Sequence, residues 1–212
     1  MENLIIIGAG GLALEILDLI DAINLEKFTF NVLGLLDDHK KGTILEKYDI
    51  LGFTSEYLNY LNSSMVIAIS NPEIRKSLAT KLAETKIKTP NLIHPSAEIS
   101  KYAKISEDSG IIINYATQIS AKVEIKNFVI IDSFSYVGHE TILNSFVTIY
   151  PGSKISGKNI IHDSTEIGLG SNIIQGLIIG SSTLIGAGST VVHDIPSNVI
   201  ALGVPCKPIK ER

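Results

Sequence analysis

Residues 135–155 read SYVGHETILNSFVTIYPGSKI, and every sixth position in them, Val137, Leu143, Ile149 and Ile155, is aliphatic. The same step runs back through Ile131, Ile125, Ile119 and Ile113, and on through Ile161, Ile167, Ile173, Ile179, Ile185 and Val191. That makes fourteen successive anchors, all Ile, Leu or Val. An earlier run, Ile93, Ile99, Ile105 and Ile111, keeps the step but lies two residues out of phase. Two residues before most anchors stands a small or β-branched side chain: Ser135, Thr141, Val147, Ser153, Thr165, Ser171, Thr183 and Ser189, with Leu177 the bulky exception. A sandwich or barrel would show irregular spacing and a period of two. A strict period of six implies a parallel β-helix of triangular section, each hexad forming one side and sending one aliphatic inward. Gly138, Gly168, Gly180 and Gly186, directly after anchors, are expected to serve its tight corners.

Upstream the pattern changes. Leu4–Ile7 is a buried-strand run broken by Gly8-Ala9-Gly10-Gly11, and Leu12–Ile23 then carries apolar residues at helical spacing. Phe28–Leu36 predicts a second strand ended by Asp37-Asp38, and Tyr48–Phe53 and Met65–Ile69 two more. Asn71-Pro72 opens a helix reaching about Thr85. Strands alternating with helices imply a small parallel sheet. Residues 1–90 are therefore expected to form an α/β domain, and residues 91–212 the β-helix with a C-terminal tail.

Composition narrows the function. A chain of 212 residues with 45% hydrophobic content can bury sizeable cores. A formal net charge of −4, with basic enrichment only at Lys207, Lys210 and Arg212, argues against nucleic-acid binding. The single cysteine, Cys206, excludes an internal disulfide and any cysteine-based metal site, and the five histidines show no metal-binding spacing. With neither a signal peptide nor a membrane span evident, a soluble cytoplasmic protein is expected.

Gly8-x-Gly10-x-x-Ala13 between strand and helix is a phosphate-binding arrangement: glycines let the backbone approach, and the helix N-terminus favours anions. Asp37, ending the second strand, stands where such folds hold a ribose. An NAD-dependent oxidoreductase would need two mononucleotide halves, and roughly ninety residues supply one. One half suffices for a nucleotide sugar.

Several segments together carry a family resemblance: Gly8-Ala9-Gly10-Gly11; Gly34-Leu35-Leu36-Asp37-Asp38; Ala68-Ile69-Ser70-Asn71-Pro72-Glu73-Ile74-Arg75; Leu92-Ile93-His94-Pro95-Ser96-Ala97; Val137-Gly138-His139-Glu140; Ile149-Tyr150-Pro151-Gly152; and Gly203-Val204-Pro205-Cys206-Lys207. In this order, over nearly the whole chain, they resemble the hexapeptide-repeat acyltransferases, in the branch of sialic-acid O-acetyltransferases and UDP-amino-sugar N-acetyltransferases. The resemblance implies a Rossmann-like half-domain followed by a left-handed β-helix, assembled as a homotrimer with acetyl-CoA between neighbouring β-helices. It implies His139 as general base, a residue type that titrates near working pH, with Glu140 as its acidic partner. Gly157 would offer its backbone N–H to the thioester oxygen, and Gly176, Ala187 and Lys207 would line the cofactor. Thr148 stands where some members carry a histidine near the thioester. Asp37 and Asp38 would hold ribose or uracil, and Gly8, Gly10, Gly11 and Asn71 the phosphates, with Leu12 where several members have a histidine. Of the remaining histidines, His94 is read as a cap or turn residue, His162 as a corner residue, and His39 and His193 as solvated. The implied reaction is direct attack of a sugar amine on acetyl-CoA, without metal or covalent intermediate. O-acetylation of sialic acid or another sugar is the alternative, and a nucleotide-sugar-binding β-helix without transfer the third.

Overall fold

The computed structural model describes residues 1–212. A five-stranded sheet comes first, from β1 (Glu2–Ile7), β2 (Phe30–Leu36), β3 (Ile44–Leu45), β4 (Tyr48–Gly52) and β5 (Ser64–Ile67), in the order β3-β4-β2-β1-β5. All neighbours are parallel except β3 and β4. Helix α1 (Gly11–Glu26) covers one side and α2 (Pro72–Ala83) the other. The unbroken apolar run of β1 follows from that sandwich: Leu4 and Ile6 join the cluster under α1, Ile5 and Ile7 the cluster under α2. The strand–helix reading misses only the short β3 and a 3-10 segment, Thr54–Tyr60.

The rest is a left-handed parallel β-helix of two-residue strands. Each strand pairs with the one eighteen residues on, as Tyr136 with Lys154, Ile142 with Ile160 and Thr148 with Glu166, so three hexads close one coil. Face one contains Thr148–Ile149, face two Tyr136–Val137 and face three Ile142–Leu143. The anchors stack as a continuous core down the prism. In the first coil the register is twenty, as Leu92 pairs with Ile112, and the two extra residues fall between Ile105 and Ile112. Ile111 is fully buried two residues before the anchor Ile113, which explains the break in phase.

The hydroxyls two residues before the anchors form an internal ladder. Ser153 donates to the Gly168 carbonyl (3.0 Å), Thr165 to Gly180 (2.7 Å) and Ser171 to Gly186 (3.0 Å), each fifteen residues on. A small side chain with a donor suits this position because a buried hydroxyl needs a partner.

The corner glycines differ from expectation. The left-handed corner residues fall three after the anchors, in columns spaced by eighteen: Lys122, Glu140, Lys158 and Gly176 between faces two and three; Ala116, Phe134, Gly152, Gly170 and Gly188 between faces one and two; Phe128, Phe146, Ser164 and Ser182 between faces three and one. Gly138 and Gly168 are outside this set. A Cβ on either would come within 2.5 Å of backbone in the next coil, so close approach, rather than positive φ, requires glycine there.

The two parts share a core. Leu92, Ile112 and Ile130 on face one pack into the cluster beneath α1, while Phe128 and Phe146, stacked 5.4 Å apart, pack against the cluster beneath α2. At the junction Arg75 of α2 is 0% exposed. Its Nε donates to the Phe128 carbonyl (3.0 Å), its Nη1 to those of Ile69 (2.8 Å) and Ser70 (2.7 Å), and its Nη2 to the Phe146 carbonyl and Thr148 Oγ1 (both 2.8 Å). Burial pulls its pKa down to about 10, against the opposing pull of Glu166 and Tyr150, and it remains charged at neutral pH. Arg75→Met strands five acceptors and should cost about 3–5 kcal/mol in chemical denaturation. Loss below 1 kcal/mol would show that the junction does not depend on this side chain.

Candidate active site

Histidine 139 lies on the edge between faces two and three. Its Nδ1 is 3.0 Å from Glu140 Oε2, with the two side chains 46% and 44% exposed. Alternation along a strand would send neighbouring side chains apart. Glu140 escapes that rule because it occupies a left-handed corner, at φ 58°. The contact with His139, then Lys158 and Lys122, holds the Glu140 carboxyl below its ordinary range. The carboxylate thus persists into mild acid, and protonating Glu140 needs a lower pH than for a free side chain.

Gly157 occupies the His139 position one coil on. A Cβ there would sit 2.6 Å from His139 Nε2 and 2.7 Å from Cε1, so the imidazole lies over a site open only to glycine. The Gly157 N–H makes no hydrogen bond within the chain, whereas the next amide, of Lys158, donates to the His139 carbonyl at 2.7 Å. The edge therefore presents a ring nitrogen fixed from its far side and a free backbone donor beside it. Gly176 continues this edge at φ 81°, its amide bonded to the Gly157 carbonyl.

A second site lies at the carboxyl end of the sheet. A cleft of about 350 Å³ is lined by Gly8, Gly10, Gly11, Asp37, Asp38 and Ser70, among others. A Cβ on Gly8 (φ 105°) would meet the Ala68 carbonyl at 2.8 Å, whereas Gly10 and Gly11 face open space. Helix α1 starts without a side-chain cap, and the N–H groups of Gly10, Gly11 and Leu12 are unspent within the chain. Such a terminus suits a phosphate. The Asp37 carboxylate accepts from the amides of Ala9 (2.8 Å) and His39 (2.9 Å), so it braces the glycine loop, while Asp38 accepts from the amide (2.8 Å) and hydroxyl (3.0 Å) of Thr54.

Two expected site residues require correction. Thr148 is 1% exposed, its hydroxyl taken by Arg75 and the Ser70 carbonyl (3.2 Å), so it is closed to a cofactor. Asn71 caps α2 instead of lining the cleft, accepting the amides of Glu73 and Ile74 at 3.0 Å. Ala187 lies at the corner between faces one and two, and Gly157 and Gly176 lie on the His139 edge, so a single copy of the chain does not bring the three together. Lys207 is exposed on the closing hairpin, paired with Leu202.

Among the other histidines, His94 is the expected turn residue. Its Nδ1 accepts the Ser96 amide at 3.0 Å, its ring is edge-on to Tyr115, and burial lowers its pKa. His39 lines the cleft, a position that sequence spacing did not reveal. Also unforeseen was a polar pair on face one, in which half-buried Tyr150 donates to buried Glu166 at 2.7 Å. No cluster of three or more His, Cys, Asp or Glu side chains arranged for a metal occurs in the chain, and no helix is long and apolar enough to cross a membrane.

Solved structures share this fold. Residues 3–82 match the model of the PglD N-terminal domain family. The acetyltransferase domain of PglB from Neisseria gonorrhoeae superposes with a TM-score of 0.90 at 31% identity, over 99% of this chain and 100% of that one. Its complex with acetyl coenzyme A superposes with a TM-score of 0.89 at 29% identity, over 98% and 99% of the two chains. PerB from Caulobacter crescentus, in complex with CoA and GDP-perosamine, gives a TM-score of 0.89 at 26% identity, covering 99% of this chain and 98% of that one.

Gly157→Ala tests the edge geometry. The added methyl should displace the His139 ring and lower kcat about a hundredfold in an acetyl-CoA thiol-release assay, with the melting temperature little changed. Full activity would show that the ring does not act from this position.

Proposed function

The chain belongs to the acetyl-CoA-dependent, hexapeptide-repeat sugar acetyltransferases, and from there we propose that it acetylates the amino group of a nucleotide-linked amino sugar with His139 as general base. The arrangement of His139, Glu140 and Gly157 carries this reading: Nδ1 is held by a carboxylate at 3.0 Å, and Nε2 lies beside an unspent N–H. The sugar amine attacks the thioester carbonyl carbon while Nε2 takes its proton. The Gly157 N–H donates to the oxygen as it gains charge. The tetrahedral intermediate collapses, the C–S bond breaks, and the imidazolium returns the proton to the departing thiolate. Glu140 fixes the tautomer and stabilises the imidazolium.

Residues 1–90 are proposed to hold the nucleotide and residues 91–212 the acetyl-CoA. The nucleotide's phosphates would rest on the free amides at the start of α1, a feature that disfavours O-acetylation of an acceptor without phosphate. In one copy of the chain the two sites are separated. The first domain packs on face one, and His139 occupies the edge of the prism opposite that face. A substrate in the cleft must then meet His139 of another copy, as a homotrimer would provide. Exposed Tyr115, Phe134 and Leu169 along the edge between faces one and two offer an apolar seam for that neighbour. A groove there would unite Ala187 of one copy with Gly157 and Gly176 of the next.

His139→Ala should lower acceptor-dependent thiol release about 10²–10⁴-fold without loss of thermal stability. Unchanged turnover, across UDP- and GDP-linked 4-amino sugars, would overturn the assignment of the base. Co-expression of His139→Ala with Gly10→Trp, which fills the open cleft, should restore activity that neither variant has alone. No restoration in mixed oligomers, or a light-scattering mass near the monomer's 22.9 kDa, would rule out a site shared between copies.

A further inference from the structure

The outward residues of face one run Leu92, Ile112, Ile130, Thr148, Glu166 and Leu184, one per coil. The first three are apolar and lie beneath the first domain. At Thr148 and Glu166 the row becomes polar, although both residues are buried. A buried carboxylate is costly unless paired, and Glu166 has two partners: Arg212 at Oε1 and the Tyr150 hydroxyl at Oε2, 2.7 Å away.

Tyr150 is half-buried and stands at the meeting of three parts of the molecule. Ser70, a wall of the glycine-loop cleft, is near enough to the phenol for its side chain to favour the ionised form. Thr148, two residues earlier, donates to the Ser70 carbonyl, tying this part of face one to that wall. Pro151 and Gly152 follow directly and form the corner between faces one and two, the edge of the proposed apolar seam. Burial, then Glu166, pushes the phenol pKa up to about 12, so it keeps its proton at any working pH. That proton is spent on Glu166, so toward any further partner the phenol oxygen can only accept.

We propose that Tyr150, braced by Glu166, is a specificity-determining residue that accepts a hydrogen bond from a ring hydroxyl of the nucleotide-linked sugar. This rests on the acetyltransferase reading, in which the diphosphate lies on the glycine loop and the sugar extends past Ser70 toward a neighbouring His139. The amine goes to the base, and Tyr150 reads an adjacent hydroxyl and fixes the rotation of the ring. Sugars that lack this hydroxyl bind through the nucleotide alone.

The test uses Tyr150→Phe, which keeps the ring and removes the oxygen, in the full-length protein. The Kd of free UDP and GDP is measured by calorimetry, and KM for UDP- and GDP-linked 4-amino sugars and for acetyl-CoA by thiol release. The expected result is a KM for the preferred sugar nucleotide about tenfold higher, the loss of one hydrogen bond. The diphosphate Kd and the acetyl-CoA KM should stay within twofold. Glu166→Gln, which keeps an oxygen at the same place, should raise the sugar-nucleotide KM by less, and it serves as the second variant if Tyr150→Phe does not fold. An unchanged sugar-nucleotide KM overturns the proposal, as does an equal weakening of free diphosphate, which would make Tyr150 only a wall of the cleft. If the wild-type protein turns over neither sugar nucleotide, the acetyltransferase reading fails and the sugar contact with it.

Discussion

Every coil of the β-helix must close in eighteen residues around an interior one aliphatic side chain deep on each side. Most of the architecture follows from that constraint. Anchors cannot drift, because a shift of one residue would turn the inward side chain out. The position two before each anchor is mostly small or β-branched, and its hydroxyls find carbonyls fifteen residues on. Corners must turn within two residues, so one of the two takes a left-handed conformation even where it is Phe128, Phe146 or Lys158. Between those demands the backbones of successive coils come so close that Gly138 and Gly168 have no room for a Cβ. The reactive edge depends on a different absence: His139 can lie across Gly157 because no side chain projects there.

Legibility in the sequence followed the range of the interaction. The hexads were visible because each repeats one local demand, and even the two-residue insertion near Ile111 appeared as a change of phase. The glycine loop and the cap-like Asn71-Pro72 were visible for the same reason, although the structure turns Asn71 inward to its own helix and away from ligand. Properties set by the corner conformation were hidden. Alternation placed His139 and Glu140 on opposite sides, and a single positive φ reversed it. Thr148 was assigned by resemblance to the cofactor, but its hydroxyl is held by Arg75, seventy-three residues earlier in the chain. Tyr150 and Glu166 meet across sixteen residues, between one coil and the next, and no local pattern marks the pair.

Arg75 bears on how the two parts of the molecule can work. Its donors all go to neutral acceptors, four carbonyls and a hydroxyl, drawn from the cleft wall, its own helix entrance and two coils of the prism. The glycine-loop cleft is thereby fixed in relation to face one. Hinge closure within a chain would break these bonds in a region without water to replace them. In the proposed reaction the approach of amine and thioester would come instead from the way copies are held together, which would give the apolar seam a part in turnover beside the His139 edge.

The far end of the prism has a different consequence. After Ile185 the chain forms Val199–Gly203 parallel to Leu184–Ile185, then doubles back as Cys206–Glu211, antiparallel to it, with Ala201 and Cys206 buried in the last layer of core. A stack of identical parallel coils ends in open hydrogen-bonding groups and bare aliphatic side chains, which another stack of the same geometry could continue. The reversed strand removes that template by offering an edge of the wrong polarity. On face one, then, the parallel stack ends in a reversed strand, and a second prism of the same geometry could not continue that face in register.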